Sequence, residues 1–490
     1  MSSFSGIGLN GGLLLGAQSM NTNRLAIETI GNNISNVNTP GYSRERATIT
    51  ENVISGSAGE LSMGSQVTGI QSLRSALLDS LVQSSLGNQG YADNQASLTS
   101  TVQDALGEQF SSASSSSSAS SVAAGNSPVQ SAMTAFFGAL QSLAATPSDP
   151  TARQVVASDA QTLASTISSA YQRLQSAQSG IAADAGTVTG QINQLSKSIA
   201  SLNQQITQSE AASGTTANNL RDQREQDVEQ LSGLVNITAT NQSDGSVTVA
   251  LSDNPSVVLV SKNDSNGSGT TQSLSVSYNA NAAVPLTVTA STTGALGTGV
   301  PSSGSLGSDL NVANDVIGSP AASGNSGLLG QLDGVANQLR TQINAQNAAG
   351  FDLNGNAGGT LFTGTGAADL GVNTNVVNNP SLIAAGNGSG PLDGSNAQAM
   401  ANIQSSSSIL PAFQAMVSNL GQTVNTAQQN QTTQDQITTQ MQNQRNSVSG
   451  VSIDEEMTNL INFQQSYDAS ARFISSISTL YTDLLNIQTN

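Results

Sequence analysis

Residues 163–206 read LASTISSAYQRLQSAQSGIAADAGTVTGQINQLSKSIASLNQQI. Leu163, Ile167, Ala170, Leu174, Ala177, Ile181, Ala185, Val188, Ile192, Leu195, Ile199, Leu202 and Ile206 recur by steps of four and three without a miss. That spacing lays one apolar stripe along a helix. Unbroken, the helix is about 66 Å long at 1.5 Å per residue. Gly180, Gly186 and Gly190 each cost roughly 1 kcal/mol relative to alanine, so the pattern leaves open a kink or break near them. The stretch is predicted to be a rod rather than a globular core.

Working outward, helical spacing continues from Asn219 to Val235, where Arg221/Glu225 and Arg224/Asp227 can pair along a solvated face. The period then changes to two. Ser243-Asp244-Gly245-Ser246 is a turn, flanked by Ile237/Ala239 and by Val247/Val249/Leu251, and reads as a β-hairpin. Further strands are predicted at 257–260, 274–278 and 286–290. Helical spacing resumes at Leu328, Leu332, Val335, Leu339 and Ile343; a Gly/Asn-rich turn region at 350–400 precedes a helix over about 408–446. Before the rod, Ala47 and Ile49 open an extended stretch, a helical pattern covers 72–109, and Ser111 to Ser121 reads as a flexible linker.

Both chain ends carry apolar stripes. Leu9, Leu13, Gly16, Met20, Asn23, Ile27, Ile30, Ile34 and Val37 alternate by four and three, as do Ile453, Met457, Leu460, Gln464, Tyr467, Ala471, Ile474, Ser478, Tyr481, Leu485 and Gln488, with Phe463, Ile477 and Leu484 widening the second stripe. Such seams suit packing against another helix. Thr39, ahead of a proline, is pushed out of the helical region, and Pro40-Gly41 suits the centre of a type II turn. Ser452 with Glu455 fits a capping box, and Asp454, Glu455 and Glu456 favour the positive end of a helix dipole.

The predicted fold is mainly α with an inserted β domain. The chain goes out along helical rods and returns, and its terminal helices pair as a coiled coil. The expected divisions are 1–55 and 446–490 as two halves of a terminal assembly domain, 56–236 and 326–445 as two parts of a helical rod domain, and 237–325 as the β domain.

Only 9% of the residues are charged, against roughly 25% in an average soluble domain. The net charge of −18 repels a nucleic-acid backbone or an anionic membrane. No apolar run is long enough to span a bilayer. Cysteine, histidine and tryptophan are absent, which removes disulfides, thiol catalysis, Cys-based zinc sites and the commonest general base. Lys197 and Lys262 follow no Gly-rich loop, so there is no P-loop, and neither sits in an S-x-x-K arrangement. Asp352, Asn354 and Asn356 begin like a calcium loop, but Ala357 replaces its glycine and Thr363 its bidentate glutamate, so a turn is the better reading. No enzyme, cofactor or metal is expected. No secretory signal is visible before Arg24.

Gly31-Asn32-Asn33-Ile34-Ser35-Asn36-Val37-Asn38-Thr39-Pro40-Gly41-Tyr42-Ser43-Arg44 resembles the N-terminal signature of bacterial flagellar rod, hook and hook-associated proteins. Glu455-Glu456-Met457, Gln464-Gln465-Ser466-Tyr467 and Ala469-Ser470-Ala471-Arg472 resemble the matching C-terminal end. Leu220 to Ile237 and Gly350 to Gly355 are similar to blocks of the hook-associated branch. There the family often has a histidine where Gln346 stands, and commonly glutamine at Glu45.

This resemblance implies a non-enzymatic structural protein of the hook–filament junction. It further implies export through the flagellum's own type III channel, with an extracellular location and no cleaved signal. The implied partners are further copies in a ring, the hook protein, the next hook-associated protein and an export chaperone on the C-terminal helix. The expected assembly interface comprises Leu13, Met20, Ile27, Ile30, Ile34, Val37, Pro40, Gly41, Tyr42, Met457, Leu460, Phe463, Tyr467, Ile474, Ile477, Tyr481 and Leu485. Before assembly the end helices would be disordered or chaperone-bound for want of partners. A hook or rod protein is the nearest alternative, disfavoured by the two internal blocks. An extracellular adhesin with a coiled-coil stalk would share the rod but lack the matched ends.

Overall fold

The computed structural model describes residues 9–56, 59–107, 127–262, 270–291, 294–295, 301–321, 327–388 and 390–488. The Ser-rich linker expected at 111–121 lies outside them.

In chain order, α1 (Leu9–Ser35) leads into an antiparallel hairpin of β1 (Glu45–Gly56) and β2 (Gly59–Ser72). The helices α2 (Ala76–Leu106), α3 (Pro128–Ala145), α4 (Pro150–Ser213) and α5 (Asn218–Leu234) follow. Next come two three-stranded sheets. One is formed by β3 (Ile237–Asn241), β4 (Val247–Leu251) and β5 (Val258–Val260), the other by β6 (Leu274–Tyr278), β7 (Leu286–Ala290) and β8 (Gly294–Ala295). A short helix, α6 (Gly304–Asn311), widens into a π-helical turn at Val312–Ile317 before α7 (Leu328–Ala348). A loop region carries the two-residue strands β9 (Phe362–Thr363) and β10 (Gly371–Val372), α8 (Thr374–Asn378) and α9 (Ser395–Ser406). The return runs through α10 (Ile409–Ser449) and α11 (Ile453–Gln488).

The spine is α4, 64 residues without a break, or about 96 Å by helical rise. It starts where Asp149 accepts the Thr151 N–H at 2.8 Å beside Pro150, and stops at Gly214 with φ +66. The helix is not interrupted at Gly180, Gly186 or Gly190. All three face outward, with nothing within 4 Å of where a Cβ would stand. Their cost of roughly 1 kcal/mol each is outweighed by the opposite face, where each large apolar side chain gains about 1.5–3 kcal/mol on burial. Leu163, Ile167, Leu174, Ile192, Ile199 and Ile206 are wholly buried there.

The expectation of a rod rather than a core needs correction. The stripe on α4 is the floor of one continuous apolar core shared with α3, α5, α6, α7, α9, α10 and the inner faces of both sheets. A low charge content lets almost every neighbouring element contribute an apolar face. Phe136 and Phe137 of α3 are fully buried, and Phe136 meets Phe362 edge-on at 5.5 Å. Gln178 pins the π-helical turn to the spine. Its Nε2 donates to the carbonyls of Ala313 and Gly318 at 2.7 and 2.8 Å, and its Oε1 accepts from the Tyr278 hydroxyl at 3.1 Å.

The hairpin read at 243–246 is present, with Ile237 opposite Leu251, Asn241 opposite Val247 and Gly245 at φ +85. The strands expected at 257–260, 274–278 and 286–290 correspond to β5, β6 and β7. The fold is mainly α with an inserted β region. The turn reading at Asp352 also holds: its carboxylate accepts the N–H groups of Asn354 and Asn356, both at 2.8 Å.

The charges of α5 are not a solvated face. Arg224 is buried, donating to Asn203 Oδ1 at 3.1 Å and to the Gly245 carbonyl at 2.7 Å. Burial lowers its pKa to about 10. Arg221 reaches back to Glu210 with two bonds of 2.7 and 2.8 Å rather than along α5 to Glu225. Those bonds hold the Glu210 carboxyl below its usual range. The hairpin tip and the end of α4 close over the helix, so its cations turn inward to carbonyl and carboxylate oxygens.

The crossing of α2 and α5 is glycine on glycine. A Cβ on Gly90 would lie 2.1 Å from the Gly233 carbonyl oxygen. Replacing Gly90 by alanine is therefore expected to destabilise the fold by about 1–3 kcal/mol, despite alanine's better helix propensity. Urea unfolding of the two forms reads the effect directly. A gain in stability would show that the crossing relaxes freely.

Candidate assembly site at the paired chain ends

The helices α1 and α11 lie antiparallel along each other. A Cβ on Gly12 would stand 2.6 Å from Ile477 Cδ1, and one on Gly16 2.4 Å from Ile474 Cγ1. Further along, the Ser19 and Ser470 hydroxyls are 2.9 Å apart, and Asn33 Nδ2 donates to Glu456 Oε2 at 3.0 Å. Large side chains of α11 thus seat on small positions of α1. The register carried through sets Asn23, Ala26 and Ile30 opposite Tyr467, Phe463 and Leu460.

On α11 the seam falls largely on residues that the apolar spacing selects, whereas on α1 it runs through Gly12, Gly16, Ser19 and Asn33, of which only Gly16 lies on the selected stripe. On α11 the half-buried residues include Leu460, Phe463, Tyr467, Ser470, Ala471, Ile474 and Ile477. On α1, Ile30 is buried, whereas Leu13, Met20, Ile27 and Ile34 are half-buried, as is Val37 just beyond its end. The hairpin covers another side of α1, where Thr22 Oγ1 donates to the Ser65 carbonyl at 2.8 Å. Met457, Tyr481 and Leu485 remain exposed, as do Ile453, Ile461, Phe473 and Leu480. The paired ends therefore still present an apolar surface.

The 31–44 signature builds a polar knot at the foot of this pair. Tyr42 N–H donates to the Thr39 carbonyl at 3.2 Å and Gly41 has φ +75, the geometry of the expected type II turn. Pro40 and Gly41 are exposed, and Gln226 of α5 donates to the Pro40 carbonyl. Asn33 is wholly buried and uses its whole amide. Oδ1 accepts the Tyr42 hydroxyl and the Glu45 N–H, each at 2.9 Å, while Nδ2 donates to the Glu45 carbonyl at 2.8 Å besides Glu456. Burial, then the nearby Glu45, Asp222 and Glu456 carboxylates, push the Tyr42 hydroxyl pKa upward, so it stays a donor. Arg44 grips Glu455 at 2.6 Å and Glu456 at 2.7 Å. The Glu455 carboxylate, expected to cap its own helix, is thus bonded to Arg44.

Composition alone does not mark Asn33, Arg44, Glu456 and Asp222 as a unit. Only the signature and the Glu455-Glu456 doublet hint at it. Asp222 of α5 joins it from the other side, accepting the Ser43 N–H at 3.0 Å and Arg74 at 3.1 Å. Burial raises the Asp222 carboxyl pKa, opposed by those two donors. None of these groups is arranged as nucleophile and base. The site's chemistry is fastening.

Comparison with known proteins agrees. The family described as "Flagellar hook-associated protein FlgK helical domain" matches residues 117–362. The chain belongs to the FlgK family of flagellar hook-associated proteins. The two ends match separately: "Flagella basal body rod protein" over 13–42, and "Flagellar basal body rod FlgEFG protein C-terminal" over 442–487. Flagellar hook-associated protein 1 of Bacillus subtilis is 26% identical, covering 97% of each chain. Its Escherichia coli counterpart is 26% identical over 96% of this chain and 98% of its own. The hook junction protein FlgK from Burkholderia pseudomallei aligns with a TM-score of 0.45 and 25% identity, over 58% of this chain and 46% of that one. As a FlgK-family member, the protein is a structural part of the bacterial flagellum. Among the described residues, no helix is long and apolar enough to cross a membrane.

Proposed function

We propose that this protein is the non-enzymatic adaptor between hook and filament, and that it self-assembles through its paired terminal helices. The observation that carries this reading is the α1–α11 pair itself. It is held by a specific small-on-large register, yet it leaves Ile453, Met457, Ile461, Leu480, Tyr481 and Leu485 exposed. Large apolar side chains left exposed along a paired helix are a protein-contact signal. Within one chain the end helices already partner each other, so they need not stay unfolded for want of a mate. The remaining face is left for other copies.

In that assembly, Leu13, Met20, Ile27, Ile30, Ile34, Val37, Pro40, Gly41 and Tyr42 form one side of the interface. Met457, Leu460, Phe463, Tyr467, Ile474, Ile477, Tyr481 and Leu485 form the other. The partners are further copies in a ring, the hook below and the next hook-associated protein above. An export chaperone takes α11 before assembly, and delivery is through the flagellar channel to the cell exterior. The 1–55 and 446–490 segments act as the assembly unit, with the α4 body and its 237–325 β region standing on it.

The test is truncation. Removing residues 1–40 or 450–490 is expected to leave the body folded, because its core draws nothing from either segment. Incorporation at the hook tip should then fall to nothing in cells lacking the intact protein. Normal motility with either truncated form overturns the proposal.

A further inference from the structure

Two regions of the molecule are held together by different physics. The body has its continuous apolar core, and among the described residues no side chain of α1, the β1–β2 hairpin or α11 belongs to it. Those elements form a base with contacts of its own: the α1–α11 seam and the hairpin laid on α1. The chain crosses between base and body only at 73–75 and 450–452.

What joins them is polar. Ser43 N–H and Arg74 share the Asp222 carboxylate, Arg74 also faces Asp79 at 3.4 Å, and Gln226 holds the Pro40 carbonyl. Asn218 Nδ2 donates to Glu45 Oε1 at 2.8 Å and to the Ile70 carbonyl at 3.1 Å. Arg44 N–H donates to the Ser449 carbonyl at 2.9 Å. The lower stem continues the theme. Where α2 and α10 meet, Ser85 faces Thr438 at 2.8 Å and Gln89 donates to Asp435 at 2.6 Å.

The joint is also incompletely closed. A cleft of about 600 Å³ separates Leu25, Asn36, Val67 and Thr68 on the base from Ser209 and Thr216 at the tip of α4–α5. Buried oxygens of Asp79, Asn218 and Ser449 lack hydrogen-bond partners in this arrangement. An orphaned buried acceptor costs about 1–3 kcal/mol, so the closed state is held with little surplus. Opening it exposes ion pairs that water solvates well, rather than apolar surface.

We propose that the base and the body are a hinged pair, turning about 73–75 and 450–452, with the bonds of Asp222 to Ser43 and of Asn218 to Glu45 as the latch that closes the cleft. The hinge lets one assembled base carry bodies at differing angles without unpacking either part. It stands on this joint alone and does not depend on the junction reading.

The chain has no cysteine, so spin labels can be placed cleanly on the full-length protein. Thr68→Cys with Thr216→Cys spans the cleft; Glu28→Cys with Asn462→Cys spans only α1 and α11. All four positions are exposed. The expected result is one narrow cleft distance at low salt. It should become longer and broader in 1 M salt, where screening acts over about 3 Å, and in Asp222→Ala, while the α1–α11 distance stays fixed. Gln226→Ala, milder, should give a smaller shift of the same sign. A cleft distance unmoved by salt and by both substitutions overturns the hinge. So does parallel broadening of both pairs, which would mean that the base itself melts.

Discussion

Gly16→Leu is expected to abolish both the pairing of α1 with α11 and incorporation into the flagellum. On helix propensity alone the change should help, because glycine is roughly 0.8–1.0 kcal/mol worse than alanine in a helix and leucine ranks close to alanine. The geometry reverses the sign. Even a single methyl would sit 2.4 Å from Ile474 Cγ1 and 3.4 Å from Phe473 Cδ1, and leucine adds three further carbons. Overpacking a closed seam costs about 1–3 kcal/mol. Here the seam is one helix pair thick, with no second layer to absorb the shift.

The readout exploits the facing Ser19 and Ser470 hydroxyls, 2.9 Å apart. Cysteines placed at both positions should cross-link on oxidation. Adding Gly16→Leu should suppress that bond and motility together, whereas Gly31→Leu should leave the bond intact, since nothing lies within 4 Å of a Cβ there. Efficient cross-linking in the Gly16→Leu form would sink the seam as described.

How far the sequence reveals this seam depends on what the pattern counts. Apolar spacing identifies both terminal helices and much of the α11 face, because Leu460, Tyr467 and Ile474 are large and regularly placed. It finds only part of the α1 seam, since Gly16, Asn23 and Ile30 lie on the apolar stripe but Gly12, Ser19 and Asn33 do not. The contacting residues there include Gly12, Gly16 and Ser19, whose value is their smallness, which hydrophobicity cannot see. The spine was legible for the opposite reason: its partners are mostly apolar, so burial follows hydrophobicity along most of the stretch from Leu163 to Ile206, with Gln178 and Asn203 among the buried polar exceptions. The β1–β2 hairpin was half legible. Thr48, Thr50, Gln66 and Thr68 mix with Ile49 and Val67 on a partly exposed ribbon, so no clean alternation survives. The Arg221–Glu225 run in α5 reads equally well as a solvated face or a buried lattice. Only the arrival of Asn203, Gly245, Ser43 and Arg74 from distant elements decides between them.

Asp309→Asn is expected to make the protein more stable at pH 8 and nearly neutral in effect at pH 4. Asp309 is wholly buried on α6, with Oδ1 accepting from Asn94 Nδ2 at 2.8 Å and Oδ2 without a partner. Burial is the main cause that lifts its carboxyl from 3.8 to about 7, against the Asn94 hydrogen bond and with some help from Asp184. Between those two pH values the folded protein holds a proton that the unfolded chain has released. Stability contributed by this group must therefore fall as pH rises through that window. At about 1.4 kcal/mol per pH unit, the full loss is roughly 4 kcal/mol by the time the folded carboxyl ionises. Asparagine keeps the acceptor for Asn94 and resembles the protonated acid in shape and charge, so its stability carries no such slope. The variant should unfold at higher urea than the parent at pH 8, with the gap closing steadily toward pH 4. Other buried acids, Asp222 and Glu229 among them, titrate in both forms and cancel in the difference. Parallel stability curves across that range would mean that the Asp309 carboxylate is solvated after all, and that α2 and α6 part far enough to admit water.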